Sequence, residues 1–173
     1  MMHVAQSNGW TPFSTMQCHY NLLYREDERE MLSLCCQYDV LPTPYSPLAS
    51  GHLVRRAWQG TTLRATTDTM MEQKYNSAQK QDEPIVERVA QVAQKYGRPM
   101  AQIALAWHFV HGSASPIVGC SSPERVDQAV AALDVNLSGD DIEFLEEIYT
   151  AHELVGPINR PGEKPLKGTA LAK

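Results

Sequence analysis

Strand-like and helix-like segments alternate along most of the chain, and this alternation constrains the fold more than any other feature. The composition of β-strands is found at 13–17, 40–45 and 115–119. Helical spacing of apolar residues is found at 27–38, 83–96, 100–110, 122–133 and 138–149. A helix between two strands returns the chain to the start of the sheet, so consecutive strands run parallel with right-handed crossovers. The pattern therefore predicts an α/β fold.

Size and charge narrow the classes of function. The 173 residues, 43% of them hydrophobic, are enough for one globular domain. The net charge of -5 argues against nucleic-acid and anionic-membrane partners, because neither attracts an acidic chain. No apolar run approaches the roughly 20 residues of a membrane span, and the start lacks the pattern of a secretory signal. We therefore expect a cytoplasmic protein that binds a small molecule and keeps its four cysteines reduced.

The segment Pro44–Gly51 is a candidate ligand-binding corner. It follows the hydrophobic residues Val40 and Leu41 and has the sequence PYSPLASG. It combines an aromatic ring, hydroxyl groups, prolines that stiffen the backbone and a glycine that lets the backbone approach a ligand. An ordinary strand-to-loop turn has a similar composition, so this segment alone supports the two interpretations about equally.

Three features are predicted at the carboxyl ends of consecutive parallel strands: Gln17, the Pro44–Gly51 corner and the junction 119–125. Sheets and barrels of the α/β class bind their ligands at this edge. At the junction, Ser122 is predicted as the N-cap and Pro123 as the first helical residue. Free N–H groups at a helix N-terminus attract phosphate, and Arg125 adds a positive charge on the same turn. The sequence therefore predicts a phosphorylated ligand.

Four segments, in the same order along the chain, resemble the aldo/keto reductase superfamily, specifically its bacterial branch related to the β subunits of potassium channels. They are MQCHYNLLYR at 16–25, the Pro44–Gly51 corner, AQIALAW at 101–107 and PIVGCSSPER at 116–125. The resemblance implies a (β/α)8 TIM barrel that reduces the carbonyl groups of small molecules by hydride transfer from NADPH.

The resemblance also implies an NADP(H) site. Gln17 would hydrogen-bond the nicotinamide carboxamide, and Tyr45 would stack on the nicotinamide ring. The other expected cofactor-binding residues, which would line the pyrophosphate, the phosphates and the adenosine end, are Ser46, Pro47, Leu48, Ala49, Gly51, Arg56, Arg64, Gly119, Ser121, Arg125 and Gln128. Ala129 departs from the pattern, because many relatives have an asparagine there that binds adenine. We therefore expect weaker contacts with adenine.

The resemblance covers only part of a barrel. The family's catalytic aspartate, tyrosine, lysine and histidine precede the matching segments, so no catalytic residue is predicted here. A TIM barrel takes about 250 residues, and three predicted strands, after a chain start within a helix, indicate its C-terminal half. We expect this partial barrel at 1–155 and a loose tail at 156–173. Unpaired strand edges favour self-association or pairing with the missing half. Three functions stay open: part of an NADPH-dependent oxidoreductase, a non-catalytic nucleotide-binding module, or a self-associating structural fragment.

The histidines receive structural interpretations. His19 is interpreted as a polar residue that anchors the loop after a strand, not as a general acid. His108 and His111 are three residues apart on a predicted helix, but no third ligand has a fitting spacing, so no metal site is predicted. His152, near the predicted tail, is expected to be solvated.

Overall fold

The computed structural model describes residues 1–57, 75, 78–112 and 115–152. The predicted tail at 156–173 and the predicted phosphate-binding Arg64 lie outside these residues. In chain order the elements are α1 Met2–Ser7, β1 Thr15–His19, α2 Met31–Gln37, β2 Leu41–Tyr45, α3 Gln79–Tyr96, α4 Met100–Val110, α5 Pro123–Val130 and α6 Gly139–Glu146. Short 3₁₀ turns lie at Glu26–Arg29, Ala49–Val54 and Ala131–Asp134. None of the helices in this part of the chain is long and apolar enough to cross a membrane.

The sheet has the predicted parallel direction but is smaller than predicted. Strand β1 pairs in parallel with β2, with His19 opposite Tyr45. The third predicted strand, 115–119, is reduced to one parallel bridge between Ile117 and Tyr45, in which the Ile117 N–H donates to the Pro44 carbonyl at 2.8 Å. Proline has no N–H to donate to a ladder, and Pro116 precedes the bridge while Pro44 lies in β2. The parallel direction was therefore predicted correctly, and the length of the third strand was not.

The helices differ from the predictions mainly at their ends. Helix α4 has the predicted bounds and is buried at every position from Gln102 to His108, as expected for a helix that is apolar almost all round. Helix α3 begins four residues earlier than predicted, at Gln79, and ends at Gly97, which has the left-handed φ of 60° typical of a helix stop. The predicted helix at 27–38 is divided into the 3₁₀ turn Glu26–Arg29 and α2.

The hydrophobic core lies between the sheet and helices α3 and α4. Cys18, Leu53, Ile85, Ile103 and Trp107 are among its buried members. Residues that are paired in a parallel register project to the same side of a sheet, and neighbours along a strand project to opposite sides. Cys18 therefore projects toward the helices, and Gln17, His19, Thr43 and Tyr45 share the opposite face.

Candidate functional site

The two residues that were predicted to contact a nicotinamide ring lie on neighbouring strands, at different distances from the carboxyl edge of the sheet. Gln17 is paired with Thr43, two positions before the His19 and Tyr45 pair, and it is exposed. Tyr45 ends β2 and also bridges to Ile117, so the segment leading to Gly119 starts beside it. Gln17 and Tyr45 thus lie on one face of the sheet, but only Tyr45 ends its strand: the prediction that Gln17 ends β1 was wrong, because β1 continues to His19.

The turn Ser46–Gly51 has an unusual backbone. Three non-glycine residues have left-handed φ angles, Ser46 at 55°, Ala49 at 48° and Ser50 at 55°, and Gly51 follows at 104°. A left-handed conformation costs a non-glycine residue roughly 1–2 kcal/mol. The turn is closed by its own hydrogen bonds, from the Ala49 N–H to the Ser46 carbonyl at 2.9 Å and from the Ser50 N–H to Ser46 Oγ at 3.2 Å. Of these four residues, only Gly51 is of a type whose presence in the sequence indicates a left-handed backbone.

Side chains from elsewhere in the fold hold two carbonyl groups of this turn. Asn21 Nδ2 donates to the Ser46 carbonyl at 2.9 Å, and His108 Nε2 lies 3.4 Å from the Pro47 carbonyl. His108 is fully buried, and this burial lowers its pKa to about 4. Its ring is therefore neutral near pH 7, with one N–H available to donate. The turn is thus attached both to the loop after β1 and to helix α4.

Tyr75 forms the centre of a buried polar cluster behind the turn. Its hydroxyl lies 2.8 Å from His19 Nε2, 3.1 Å from Asn21 Nδ2 and 3.3 Å from Ser46 Oγ. Tyr75 is fully buried, and desolvation raises its pKa to about 12. We call His19, Asn21, Ser46 and Tyr75 the turn-anchoring cluster. His19 therefore has the predicted structural role in anchoring a loop, whereas Tyr75 was not identified from the sequence.

The imidazole of His19 also supports the ring of Tyr45. It stacks between Tyr24, with ring centroids 4.3 Å apart, and Tyr45, with ring centroids 4.9 Å apart. The two rings are nearly parallel to it, at 16° and 20°. The predicted nicotinamide-stacking residue thus belongs to a stack that is hydrogen-bonded to Tyr75.

The predicted adenosine end is built differently. Gly119, Ser121, Arg125 and Gln128 are all exposed, and α5 has no buried residue. Ser122 is the N-cap and Pro123 the first helical residue, as predicted. The Gln128 carbonyl accepts a hydrogen bond from Gln102 Nε2 at 3.1 Å, which ties α5 to α4.

Acidic side chains stand near two of the predicted phosphate ligands. The Ser122 side chain and the Glu124 backbone N–H hydrogen-bond the Glu124 carboxylate and lower its pKa. Arg56 forms an exposed ion pair with Glu87 on α3 at 3.2 Å. A phosphate group at either place would compete with a carboxylate that is already present.

Arg55 is a further cation at the turn that was not among the predicted ligands. Its Nε is buried and has no acceptor among the residues that the structure describes. One of its terminal nitrogens lies 3.8 Å from the position that a Cβ on Gly51 would occupy. The positive φ of Gly51 and the nearby guanidinium fit an anionic group close to the backbone. The residues present are therefore compatible with the diphosphate of a dinucleotide.

The contacts of two other histidines differ from what their sequence positions indicated. The prediction that His152 is solvated was wrong: the side chain is buried, with its Nε2 2.7 Å from Asp82 Oδ1, and the backbone N–H of His152 donates to Glu26 Oε1 at 2.9 Å. A buried polar group is tolerated when it is hydrogen-bonded, and its partner Asp82 is 70 residues away in the sequence. His111 Nε2 contacts Glu146 Oε1 at 2.6 Å, so it has a different partner from His108. Within the described ranges no three side chains form a metal-binding group.

Comparison with known proteins shows the family. Residues 1–150 match the aldo/keto reductase family. The chain is 38% identical over 165 residues to the versiconal hemiacetal acetate reductase of Aspergillus parasiticus, covering 95% of this chain and 47% of that protein. It is 41% identical over 152 residues to an aldo-keto reductase of Alternaria alternata, covering 87% of this chain and 40% of the relative. A putative aryl-alcohol dehydrogenase of Schizosaccharomyces pombe is 39% identical over 160 residues, 91% of this chain and 44% of the relative.

The parallel α/β arrangement, with polar groups at the carboxyl edge of the strands, therefore belongs to a member of the aldo/keto reductase family. The fold of this family is a (β/α)8 barrel, and the two-stranded parallel sheet is consistent with part of one. The chain spans somewhat less than half the length of the curated relatives that it matches.

Proposed function

We propose that this chain is the NADP(H)-binding, C-terminal half of a cytoplasmic aldo/keto reductase that reduces a small-molecule carbonyl compound. Within the family we assign it to the bacterial branch related to the potassium-channel β subunits, from the four segments quoted above. The observation that carries the proposal is that Tyr45 lies at the carboxyl edge beside the segment after Ile117 and shares one face of the sheet with Gln17. Ligands of parallel α/β folds bind at this edge.

At the nicotinamide end, the proposal assigns recognition to groups that the fold holds in place. Gln17 would bind the carboxamide, and the Tyr45 ring would stack on the nicotinamide face while His19 supports it from the other side. The turn from Ser46 to Gly51 would present its backbone to the pyrophosphate, with the guanidinium of Arg55 beside it. The bound cofactor would supply the hydride.

At the adenosine end, we propose that positive charge at the start of α5 recognises the 2′-phosphate of the cofactor. Arg125 and the hydroxyl of Ser121 are exposed at the start of α5, where a helix N-terminus attracts a 2′-phosphate. Gln128 and Gly119 would lie beside adenosine, and Arg56 would approach the phosphates after leaving Glu87. Arg64 is assigned to the same phosphates from the resemblance alone.

We assign no catalytic residue to this chain. The proposal locates the family's aspartate, tyrosine, lysine and histidine in the part of the relatives that this chain does not match. It therefore treats 1–155 as a partial barrel that contributes cofactor contacts, followed by a tail at 156–173. Carbonyl reduction would require the complementary part of the barrel.

Calorimetric titration of the chain tests the proposal. We expect saturable binding of NADPH, weaker binding of NADH, and no oxidation of NADPH when an aldehyde such as 4-nitrobenzaldehyde is added. Absence of saturable NADPH binding would contradict the proposed site. Turnover by the pure chain would contradict the absence of catalytic residues. If NADPH binding persists but adding the complementary part of a relative, the part that this chain does not match, restores no turnover, the non-catalytic nucleotide-binding module becomes the better description.

A self-associating structural fragment is the second candidate, and a specific surface favours it. Val126 and Val130 on α5, with Leu133 in the following 3₁₀ turn, form an apolar stripe and are 48%, 57% and 62% exposed. Ile117, at the edge of the sheet, is also exposed. We propose that the complementary half of a barrel, or a second copy in its place, covers this stripe. Sedimentation equilibrium that shows only a stable monomer would contradict self-association.

A further inference from the structure

We propose that Tyr75 is a positioning residue whose hydroxyl holds the turn Ser46–Gly51 and, through His19, the ring of Tyr45 in the arrangement that receives the nicotinamide half of a dinucleotide. The inference deepens the proposed function and rests on it for the identity of the ligand. The anchoring itself rests only on the contacts of the turn-anchoring cluster.

The turn needs an external anchor because its backbone is unfavourable by itself. Ser46, Ala49 and Ser50 are left-handed without being glycine, and such conformations persist only when the surroundings hold them. The hydrogen bonds within the turn begin and end in the same short segment. Contacts to Tyr75 and Asn21 connect it to side chains that are fully buried.

The hydrogen-bonding capacity of Tyr75 matches its three partners. Asn21 Oδ1 accepts from the N–H groups of Leu23 and Tyr24, at 2.9 and 3.0 Å, so the amide orientation is set and Nδ2 faces the phenol. An amide nitrogen can only donate, so the Tyr75 oxygen accepts from Asn21. The phenol then has one proton to donate, and the 2.8 Å contact with His19 Nε2 is shorter than the 3.3 Å contact with Ser46 Oγ. The network therefore favours donation from Tyr75 to His19, with Ser46 Oγ donating to the phenol oxygen.

One hydroxyl thus acts on two parts of the proposed site. Through Ser46 Oγ it reaches the N–H of Ser50, and through Nε2 it sets the plane of the imidazole that stacks on Tyr45. Tyr75 is fully buried, so water does not readily replace the hydroxyl when it is removed. Removing it should loosen the turn without emptying the volume that the ring occupies.

The first arm of the test needs no cofactor. Amide hydrogen exchange of Ala49, Ser50 and Gly51 is measured by NMR in the free chain for Tyr75→Phe and for Ser46→Ala. We expect exchange at Ser50 to become about 3- to 10-fold faster in each variant, as the loss of one net hydrogen bond predicts. Because both variants break one connection, the double variant should exceed the larger single effect very little. If Tyr75→Phe folds poorly, Ser46→Ala decides this arm through exchange at Ala49 and Gly51, because its effect at Ser50 includes the loss of the acceptor of the Ser50 N–H itself.

Tyr20→Phe is the matched control. Tyr20 is buried, and its hydroxyl donates to Glu28 Oε1 at 2.6 Å, away from the turn. The Tyr20→Phe variant also loses the hydroxyl of a buried tyrosine, but it should leave the amide exchange rates of residues 49–51 unchanged. Equal acceleration in all three single variants would show general loosening and overturn the proposal. Unchanged exchange in Tyr75→Phe and Ser46→Ala would overturn it as well.

The second arm separates positioning from general stability and uses two ligands. Tyr75→Phe should raise the Kd for NADPH about 3- to 10-fold, and it should leave the Kd for adenosine 2′,5′-bisphosphate, which lacks the nicotinamide half, within about 1.5-fold. Equal weakening of both ligands would overturn the proposal. If the wild-type chain binds neither ligand, the proposed function fails, and the exchange arm still decides whether Tyr75 holds the turn.

Discussion

The two ends of the proposed dinucleotide site are built by opposite means. Behind the nicotinamide end, His19, Asn21 and Tyr75 are buried and hydrogen-bonded to one another or to the turn. At the adenosine end, Ser121 and Arg125 are exposed on a helix that buries no residue. The side chains behind the nicotinamide end are therefore held in place before a ligand binds, whereas the adenosine end presents a charged side chain on the surface.

This difference has different consequences for ligand affinity and for folding stability at the two ends. Preorganised groups add affinity because little freedom is lost when a ligand binds, but their burial links the site to the stability of the fold. Exposed charges contribute less to folding, and their attraction for a ligand is screened by salt. Mutations at the turn-anchoring cluster should therefore change the free energy of unfolding. Mutations at the start of α5 should change ligand affinity alone.

The largest expected difference between the two ends is in stability. Tyr75→Ala should lower the free energy of unfolding by about 3–5 kcal/mol, as found for large aromatic residues truncated in a core. Val130→Ala, on exposed α5, should change it by less than about 0.5 kcal/mol. Urea unfolding followed by circular dichroism measures both values. Similar losses in the two variants would remove the contrast between a buried and an exposed end.

Acid should also weaken the turn end first. Burial lowers the pKa of both His108 and His52 from 6.5 to about 4, with a smaller effect of Arg55 on His52. Between these two values the unfolded chain binds protons that the folded chain does not, so stability falls as the pH drops from about 6.5 to about 4 and then levels off. For His108 the expected loss is on the order of 3 kcal/mol.

The variant His108→Gln isolates this contribution in urea titrations at a series of pH values. The amide removes the titration while it keeps an N–H for the Pro47 carbonyl. Its stability should therefore depend less steeply on pH between 6.5 and 4 than that of the wild-type chain. The same slope in both proteins would mean that His108 is not held neutral by burial.

Salt and charge should dominate at the adenosine end. Arg125→Ala should raise the Kd for NADPH about 3- to 10-fold, leave NADH binding nearly unchanged and reduce the dependence of NADPH affinity on salt. Unfolding should be unaffected because the side chain is exposed. Arg98→Ala removes an equally exposed positive charge after α3 and serves as the control in isothermal titration. Equal effects of the two variants would argue against a specific contact with the 2′-phosphate.

Features that depend on residues close together in the sequence were predicted, and features that depend on distant residues were not. The bounds of α4 followed from a continuous apolar pattern after Pro99, and the start of α5 followed from Ser122 and Pro123; both are local signals. Tyr75 gave no such signal, because its role depends on contacts with partners that are 29 to 56 residues away in the sequence.

Local signals also fail when a residue departs from the preference of its type. Ser46, Ala49 and Ser50 take left-handed angles that are typical of glycine, so the shape of the turn was not readable from composition. The parallel pairing of the two strands was predictable, but the strand end was placed two residues too early, at Gln17 instead of His19. The packing behind the carboxyl edge was not predictable, because it depends on how distant segments meet.

The smallest expected effect concerns Glu124, whose carboxylate accepts from Ser122 and from its own N–H at the start of α5. Glu124→Gln should strengthen NADPH binding by about twofold and change NADH binding less, because it removes a negative charge that would compete with the 2′-phosphate for these donors. Glu143→Gln makes the same change of net charge at an exposed position of α6, so it measures the long-range part of the effect in titrations at low salt. Equal gains in both variants would mean that net charge alone draws the cofactor to this end. A loss of affinity in Glu124→Gln would mean that the carboxylate stabilises the helix start more than it opposes the phosphate, and the exposed end would then also depend on local folding.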